Sequence, residues 1–330
     1  MKRPWLAPLV PLYAVGAALR AQSQTPRRLA WPVVSVGNLS TGGAGKTPLT
    51  IALAQLLSAY GVAVDILSRG YGRRSTEPSR VQLGGSAQHF GDEPLLIARA
   101  TGLPVYVAPE RYDAGLLAES GHAAQGQQKA PGSFELHAHI LDDGFQHRQL
   151  TRAVDILLLS RDDLADTLLP AGNLREPLHA AQRAHVLAVP TGDPALDAEL
   201  RARGLHQPIW RIRRRMAVPH VAGPVLAFCG IAHPQQFFAG LEAAEQQLAA
   251  RRTFRDHHVY TTGDLAQLVS AARRAGASAL LTTEKDAVRL GPLASTLPPE
   301  LPLLTAGLTA EIEDAPAALA FLLARLRIAG

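Results

Sequence analysis

Two short clusters in this chain carry residue types that can do chemistry on a phosphate. The first is Ser40-Thr41-Gly42-Gly43-Ala44-Gly45-Lys46-Thr47, a glycine-rich turn ending in a lysine and a hydroxyl. It follows the apolar run Val33-Val34-Ser35-Val36 and precedes a segment with Leu49, Leu53, Leu56 and Leu57 on one helical face. Strand, glycine turn and helix form the arrangement in which backbone N–H groups and the positive helix end hold the phosphates of a nucleoside triphosphate. Lys46 would reach the β- and γ-phosphates, and the Thr47 hydroxyl would help hold Mg²⁺. Pro48 suits the first helical turn, where a backbone N–H has no partner to lose. The pattern G-x-x-x-x-G-K-[ST] has its first glycine replaced by Ser40, which serves if the turn keeps φ negative there.

The second cluster is Ile140-Leu141-Asp142-Asp143-Gly144-Phe145-Gln146-His147. A carboxylate at the end of an apolar strand is the usual companion of a phosphate loop, because it can serve the nucleotide's Mg²⁺. Two adjacent aspartates are tolerable when they face a cation. Asp-Asp-Gly is also a good turn sequence anywhere, so this cluster draws its meaning from the loop.

Two further stretches are ambiguous on spacing alone. Gly91-Asp92-Glu93-Pro94 opens the helical run Leu95 to Ala100 and reads as a helix start with proline in its first turn. Phe254-Arg255-Asp256-His257-His258-Val259-Tyr260 places acid and imidazole together, yet neighbours on an extended chain point to opposite sides. A shared metal is therefore disfavoured, and a histidine titrating near neutrality suits proton transfer.

The elements that must position these groups follow from patterning. At 330 residues the chain is long enough for about two domains. It is 47% hydrophobic and 18% charged, an ordinary globular balance. Ala63 to Leu67, Pro104 to Val107, His139 to Leu141, Asp155 to Leu159 and Val186 to Val189 read as short apolar strands separated by helices. That alternation predicts an α/β fold, a P-loop NTPase-like, mostly parallel sheet with helices on both faces. A basic, proline-bearing stretch marks a junction at 213–224, after a P-loop domain spanning 21–212. A second, smaller α/β domain then spans 225–330, with strands at Val225 to Phe228 and Ala279 to Leu281 and a closing helix over Leu319 to Leu326. His122 to Ser133, rich in Gln, Gly and Ala, reads as a surface insertion.

The single cysteine, Cys229, excludes an internal disulfide and suits a reducing compartment. The +5 charge is carried by scattered arginine pairs, which fit an anionic membrane surface or a phosphorylated substrate. No zinc knuckle, basic helix-turn-helix or aromatic RNA signature accompanies them, which argues against nucleic acid. Residues 1–20 combine Lys2, Arg3, Trp5 and Tyr13 with an apolar run to Leu19, interrupted by Pro8 and Pro11. The run is shorter than the roughly 20 residues of a spanning helix. A nucleotide site directly behind a cleaved signal would be stranded without ATP, so the segment reads as lying in the bilayer interface. A helix packed on the domain is the plainer alternative.

GNLSTGGAGKTP, SRGYGR, GDEP, LDDGFQHR, LLPAGNLREP, FRDHH and TTEKDAVRL together resemble the tetraacyldisaccharide 4'-kinases, the lipid A 4'-kinases, from the N-terminal segment to about Leu290. The resemblance implies ATP-dependent phosphorylation of the 4'-hydroxyl of a tetraacyldisaccharide 1-phosphate to give lipid IVA. It also implies two α/β/α units joined by a short β linker, with the reaction between them. Asp92 is implied as the base, helped by His257. Asp142 and Asp143 are implied to serve Mg²⁺ and phosphate geometry, with Gln146 and His147 beside the nucleotide. Glu93 and Glu176 match acidic positions near metal or nucleotide. The implied partner is a glycolipid met at the cytoplasmic face of the inner membrane by a peripheral or monotopic enzyme, and no obligate protein partner is evident. Two rivals differ in class: a partitioning- or maturation-type P-loop ATPase or GTPase, and a membrane-bound nucleotide-sensing scaffold without chemistry. Partitioning-type loops usually carry lysine just before the glycine pair, where Thr41 stands here.

Overall fold

A computed structural model describes residues 3–22, 25–42, 45–125 and 136–329. A 3₁₀ turn at Pro4–Leu9 leads into α1 (Val10–Gln22), and β1 (Val33–Asn38) delivers the chain to the glycine turn and α2 (Lys46–Ala59). β2 (Val62–Ser68), β3 (Ser79–Arg80), α3 (Ala87–Phe90), α4 (Asp92–Thr101), β4 (Val105–Val107) and α5 (Arg111–Gln125) follow. β5 (Leu136–Asp142), β6 (Val154–Leu158), α6 (Arg161–Leu164), β7 (Val186–Pro190), α7 (Pro194–Ala202) and β8 (Ile209–Ala217) complete the first half. The second half runs β9 (Val225–Cys229), α8 (Pro234–Ala243), β10 (Leu248–Thr253), α9 (Thr262–Arg274), β11 (Ala279–Thr283), α10 (Glu284–Leu290), β12 (Leu303–Ile312) and α11 (Ala315–Ala329).

Among the described residues these strands make a 12-stranded sheet, ordered β10-β9-β11-β12-β8-β7-β6-β1-β5-β2-β4-β3. Pairing is parallel within each half. It turns antiparallel where β12 meets β8 and at the β3–β4 edge. Alternate residues face opposite layers, as the period of a strand requires. Val34 and Val36 of β1 pack with Leu49 and Leu53 of α2 and Leu322 of α11, while Val33 and Leu141 face Ala114 and Ala118 of α5. In the second half, Leu226 and Phe228 face α9 through Leu265 and Leu268; Val225, Ala227 and Cys229 face α8 through Phe237 and Leu241. Each such aliphatic side chain contributes about 1.5–3 kcal/mol when withdrawn from water. The mostly parallel α/β sheet covered on both faces matches the patterning, and Cys229 is an ordinary buried core residue.

The junction takes strand form where the basic, proline-bearing composition gave no strand signal. Its first part is strand: β8 continues to Ala217, pairing Arg213 with Glu311 and Arg215 with Thr309 in register. The Arg213 and Arg215 side chains reach Glu313 and Glu311, at 3.4 and 3.8 Å. Cross-strand ion pairs on an exposed ribbon replace the apolar alternation that would have marked a strand. The expected insertion also starts later, since α5 carries the helix through His122 to Gln125; its remainder, 126–135, lies outside the described residues.

No helix among the described residues is long and apolar enough to cross a membrane. The N-terminal segment instead presents Trp5, Leu12 and Leu19 at 75%, 73% and 61% exposure. It is tied to the body by the Arg3 N–H, donating to the Ala171 carbonyl at 2.6 Å, and by the Tyr13 hydroxyl, donating to the Arg175 carbonyl at 3.2 Å.

Candidate active site

β1 pairs with β5 so that Val36 stands opposite Asp142. This register places the end of the Asp142-Asp143 strand beside the glycine turn. Ser40 is absent from the described non-glycine residues of positive φ, so serine fits the first loop position without strain. Gly42 and Gly45 do take positive φ, 116° and 86°. A side chain at Gly45 would also meet Arg214, whose Cδ lies 3.1 Å from the position of an added Cβ. The Thr41 N–H donates to the Asn173 carbonyl at 2.8 Å. Gly43 and Ala44 lie outside the described residues. Thr47 is buried in the first turn of α2.

Lys46 Nζ donates across the loop to Asn38 Oδ1 at 3.0 Å and to the Gly42 carbonyl at 3.3 Å, and stands 3.6 Å from Asp143. Asp143, with a left-handed φ of 47°, also receives both guanidinium nitrogens of Arg175. Burial works to raise its pKa, but Lys46 and Arg175 prevail and hold it down to about 2. Asp142 behaves oppositely. It is 2% exposed and accepts a hydrogen bond from the Thr50 hydroxyl at 3.1 Å. Burial, then the charges of Glu93 and Asp143, push its pKa up to about 7. A buried carboxylate short of positive charge fits a cation better than it fits its present surroundings.

The remaining acidic positions part company. Glu93 is ion-paired with Lys285. Glu176 receives Arg183 on both oxygens at 2.7 Å and Arg148 at 3.0 Å, so its charge is met by arginines. Among the described residues no three His, Cys, Asp or Glu side chains converge to hold a metal. Gln146 Nε2 donates to the Asn38 carbonyl at 2.9 Å and so braces the end of β1. His147 is held neutral, its pKa pushed down to about 3 by burial and by Arg111 and Arg152.

Asp92 opens α4 beyond Gly91, whose φ of 90° and close approach to Gly70 leave no room for a side chain. Its Oδ1 accepts from the neighbouring Glu93 N–H at 2.9 Å, but Gly91 holds the N-cap position, so Asp92 is the first helical residue and not the cap that spacing alone suggests. Its Oδ2 faces the other half of the molecule, receiving Arg289 Nε at 2.7 Å and lying 3.1 Å from His257 Nδ1. Burial opposes ionisation, yet the His257 hydrogen bond and the Arg289 charge hold the Asp92 pKa below the ordinary carboxylate range. The same contact raises the His257 pKa. His257 and His258 diverge as the sequence predicts, with His258 Nε2 3.1 Å from Asp264. The Tyr71 ring of Ser68-Arg69-Gly70-Tyr71-Gly72 lies 5.2 Å from the His257 ring.

Asn38, Arg175, Lys285 and Arg289 were not singled out from sequence. Their motifs, GNLS, LREP and TTEKDAVRL, were visible, but their partners are far away along the chain. The Arg289–Asp92 contact spans 197 positions.

A glycine turn between a buried strand and a helix, with lysine at the helix start and aspartates at the neighbouring strand end, defines a P-loop nucleotide-binding α/β protein. Known proteins narrow the class. The family model described as tetraacyldisaccharide-1-P 4'-kinase, LpxK, matches residues 2–327. The tetraacyldisaccharide 4'-kinase of Koribacter versatilis is 42% identical over 327 residues, covering 94% of this chain and 96% of its own. That of Parvibaculum lavamentivorans is 39% identical over 294 residues, covering 86% and 81%. LpxK from Aquifex aeolicus, solved in complex with ATP, superposes with a TM-score of 0.73 at 29% identity, over 97% of this chain and 98% of that one. The chain belongs to the tetraacyldisaccharide-1-P 4'-kinase family, enzymes that transfer phosphate to a hydroxyl.

Proposed function

We propose that this protein transfers the γ-phosphoryl group of ATP to the 4'-hydroxyl of a tetraacyldisaccharide 1-phosphate at a membrane surface, giving lipid IVA. The observation that carries this reading is the 3.1 Å contact between Asp92 and His257, brought from opposite halves of the chain to the neighbourhood of a lysine-bearing phosphate loop. The loop from Ser40 to Thr47 cradles the phosphates, and Lys46 exchanges Asn38 and Gly42 for the β- and γ-phosphate oxygens. Thr47 and Asp142 would hold Mg²⁺, supplying the hard oxygen donors that such an ion prefers. That ion would neutralise and align the transferring group. Asp143 keeps Lys46 and Arg175 in place, while Gln146 braces the Asn38 carbonyl at the end of β1.

A sugar hydroxyl is a weak nucleophile, so its proton must be accepted as the new bond to phosphorus forms. The Asp92–His257 pair is the acceptor in this reading. Because its members come from the 21–212 and 225–330 units, approach of the two units becomes a condition of transfer, which limits loss of the phosphate to water. The exposed Trp5, Leu12 and Leu19 lie in the cytoplasmic leaflet of the inner membrane, so the acyl chains stay in lipid while the sugar enters the cleft.

The test is incubation of purified protein with γ-labelled ATP and the disaccharide 1-phosphate in mixed micelles. Label at the 4' position supports the reading. ATP hydrolysis with unlabelled lipid overturns it in favour of a plain P-loop ATPase.

A further inference from the structure

Arg214 stands on β8 between two arginines that have partners, and among the described residues it has no ion pair or hydrogen bond of its own. Arg213 and Arg215 turn to one face of the β8–β12 ribbon, where Glu313 and Glu311 meet them. Alternation along the strand sends Arg214 to the other face, opposite Ala310 in the register. Ile212 and Ala310 on that face belong to the same apolar cluster as Leu49 of α2, so the face leads onto the start of the phosphate-loop helix. There Arg214 lies against Gly45, its Cδ and Nη1 3.1 and 3.4 Å from where a Cβ on that glycine would stand. His233, from the turn after β9, brings Nε2 within 3.2 Å of the Cβ position at Gly42. The linker strand and the second half thus meet the loop at both of its described glycines.

A guanidinium at this spot is repelled by its own surroundings. The N-terminus of a helix is positive, and a cation beside it is destabilised as an anion would be stabilised. α2 has no acidic residue in its first turn and no side-chain cap at Gly45. Lys46, the first helical residue, adds a full positive charge. Asp143, the carboxylate nearest to hand for Lys46, is already engaged by both guanidinium nitrogens of Arg175. Helix end, lysine and arginine therefore converge on one turn from separate elements, an arrangement that an anion between them would relieve. Backbone N–H groups of such a loop cradle the α- and β-phosphates of a nucleotide, so an arginine alongside Gly45 meets the β-phosphate. Its planar fork takes two phosphate oxygens at once, which a lysine ammonium cannot match. Arg214 is exposed, so only water stands in its way.

We propose that Arg214 is a catalytic arginine supplied to the phosphate loop by the linker strand, holding the β-phosphate of the bound nucleotide and stabilising the charge that gathers there during transfer. The assignment rests on the P-loop nucleotide site and deepens the kinase reading without depending on the identity of the acceptor. In the step, the acceptor oxygen bonds to γ-phosphorus as its proton leaves to the Asp92–His257 pair. The bond from γ-phosphorus to the bridging oxygen breaks, and its electron pair stays with ADP. Negative charge therefore grows on the β-phosphate side, where a fork already in place needs no reorganisation. An arginine reaching a P-loop from outside the loop, within the same chain or from a partner, serves phosphoryl transfer in this way in other nucleotide hydrolases.

Nucleotide binding to the full-length protein tests this without any lipid acceptor. Displacement of N-methylanthraniloyl-ADP by ADP or by AMP gives the two affinities. R214Q should weaken ADP by about tenfold or more and leave AMP within about twofold. Equal loss of both nucleotides, or of neither, overturns the assignment. R213Q, on the opposite face of the ribbon, should keep ADP affinity within about twofold. A loss as large as that of R214Q would make the shape of the ribbon the cause and overturn it as well. Without nucleotide, R214Q should melt no lower than wild type, because no partner is lost and a repulsion is removed; a lower melting temperature marks a structural role instead. At saturating ATP, R214Q should lower kcat by about 10²–10³-fold and R214K should recover part of it. A kcat within about threefold of wild type overturns the catalytic role. If wild-type protein binds ADP but labels no lipid, the kinase reading fails and the arginine assignment is judged on the ADP and AMP affinities alone. If wild type labels lipid while R214Q binds ADP as wild type does, the arginine assignment fails alone.

Discussion

Arg175 closes a two-point fork on Asp143, Nη1 to Oδ2 at 3.0 Å and Nη2 to Oδ1 at 2.8 Å. The same guanidinium donates to Asn38, which accepts from Lys46 as well. One aspartate of the adjacent pair is thereby neutralised by cations, while the other, Asp142, stands charge-hungry with its pKa near 7. Adjacent carboxylates acquire two duties from two surroundings.

Asp142→Asn should therefore raise the Mg²⁺ concentration for half-maximal activity at least tenfold. Glu176→Gln should leave it within about twofold, because Glu176 serves Arg183 and Arg148. A Mg²⁺ titration of both variants decides, and a large shift for Glu176→Gln would restore it to the metal set.

Lys46→Ala should reduce transfer by at least about 10²-fold, the usual loss for one charge-stabilising donor. Asn38 stays bonded to Arg175, so thermal unfolding should move by only a few degrees. Unchanged turnover would count against the loop as a triphosphate site.

For Asp92→Asn we expect kcat to fall by about 10²–10⁴-fold with ATP still bound, measured by nucleotide fluorescence alongside turnover. Activity within threefold of wild type would leave Asp92 as a first-turn residue that only ties Arg289 to α4.

Replacing Trp5, Leu12 and Leu19 together by Gln should weaken sedimentation with anionic vesicles at least tenfold, since these side chains carry the exposed apolar surface. Equal sedimentation would favour a helix that serves only the protein body.

His147 gives a pH signature. It is neutral in the folded chain down to about pH 3 and titrates near 6.5 when unfolded. Its contribution is complete above pH 6.5 and lost as pH falls through that window, with about one proton taken up on unfolding. His147→Asn should remove that proton from the slope of stability against pH; an identical slope in the variant would refute the buried neutral imidazole.

The loop, the strand before it and the aspartate strand were legible because each is a local pattern: glycines at fixed spacing, then a period-two or period-3.6 run. β8 and β10 were not, because Arg213, Arg215, Arg251 and Arg252 occupy positions where an apolar alternation would have announced a strand. Asp92 was ambiguous for a related reason. The helix start at Asp92 is local and readable, whereas Arg289 and His257 reach it only through tertiary contact. Glu93 and Glu176 were placed near metal by likeness of motif, and their lysine and arginine partners were invisible until the chain was folded.

The two ties of the N-terminal segment, to the carbonyls of Ala171 and Arg175, end on the very loop that grips Asp143. A detergent micelle closing around that segment would bear on the same loop through these two hydrogen bonds. Surfactant choice and N-terminal affinity handles thus become kinetic variables for this enzyme, and rates from differently solubilised preparations are comparable only when that hold is matched.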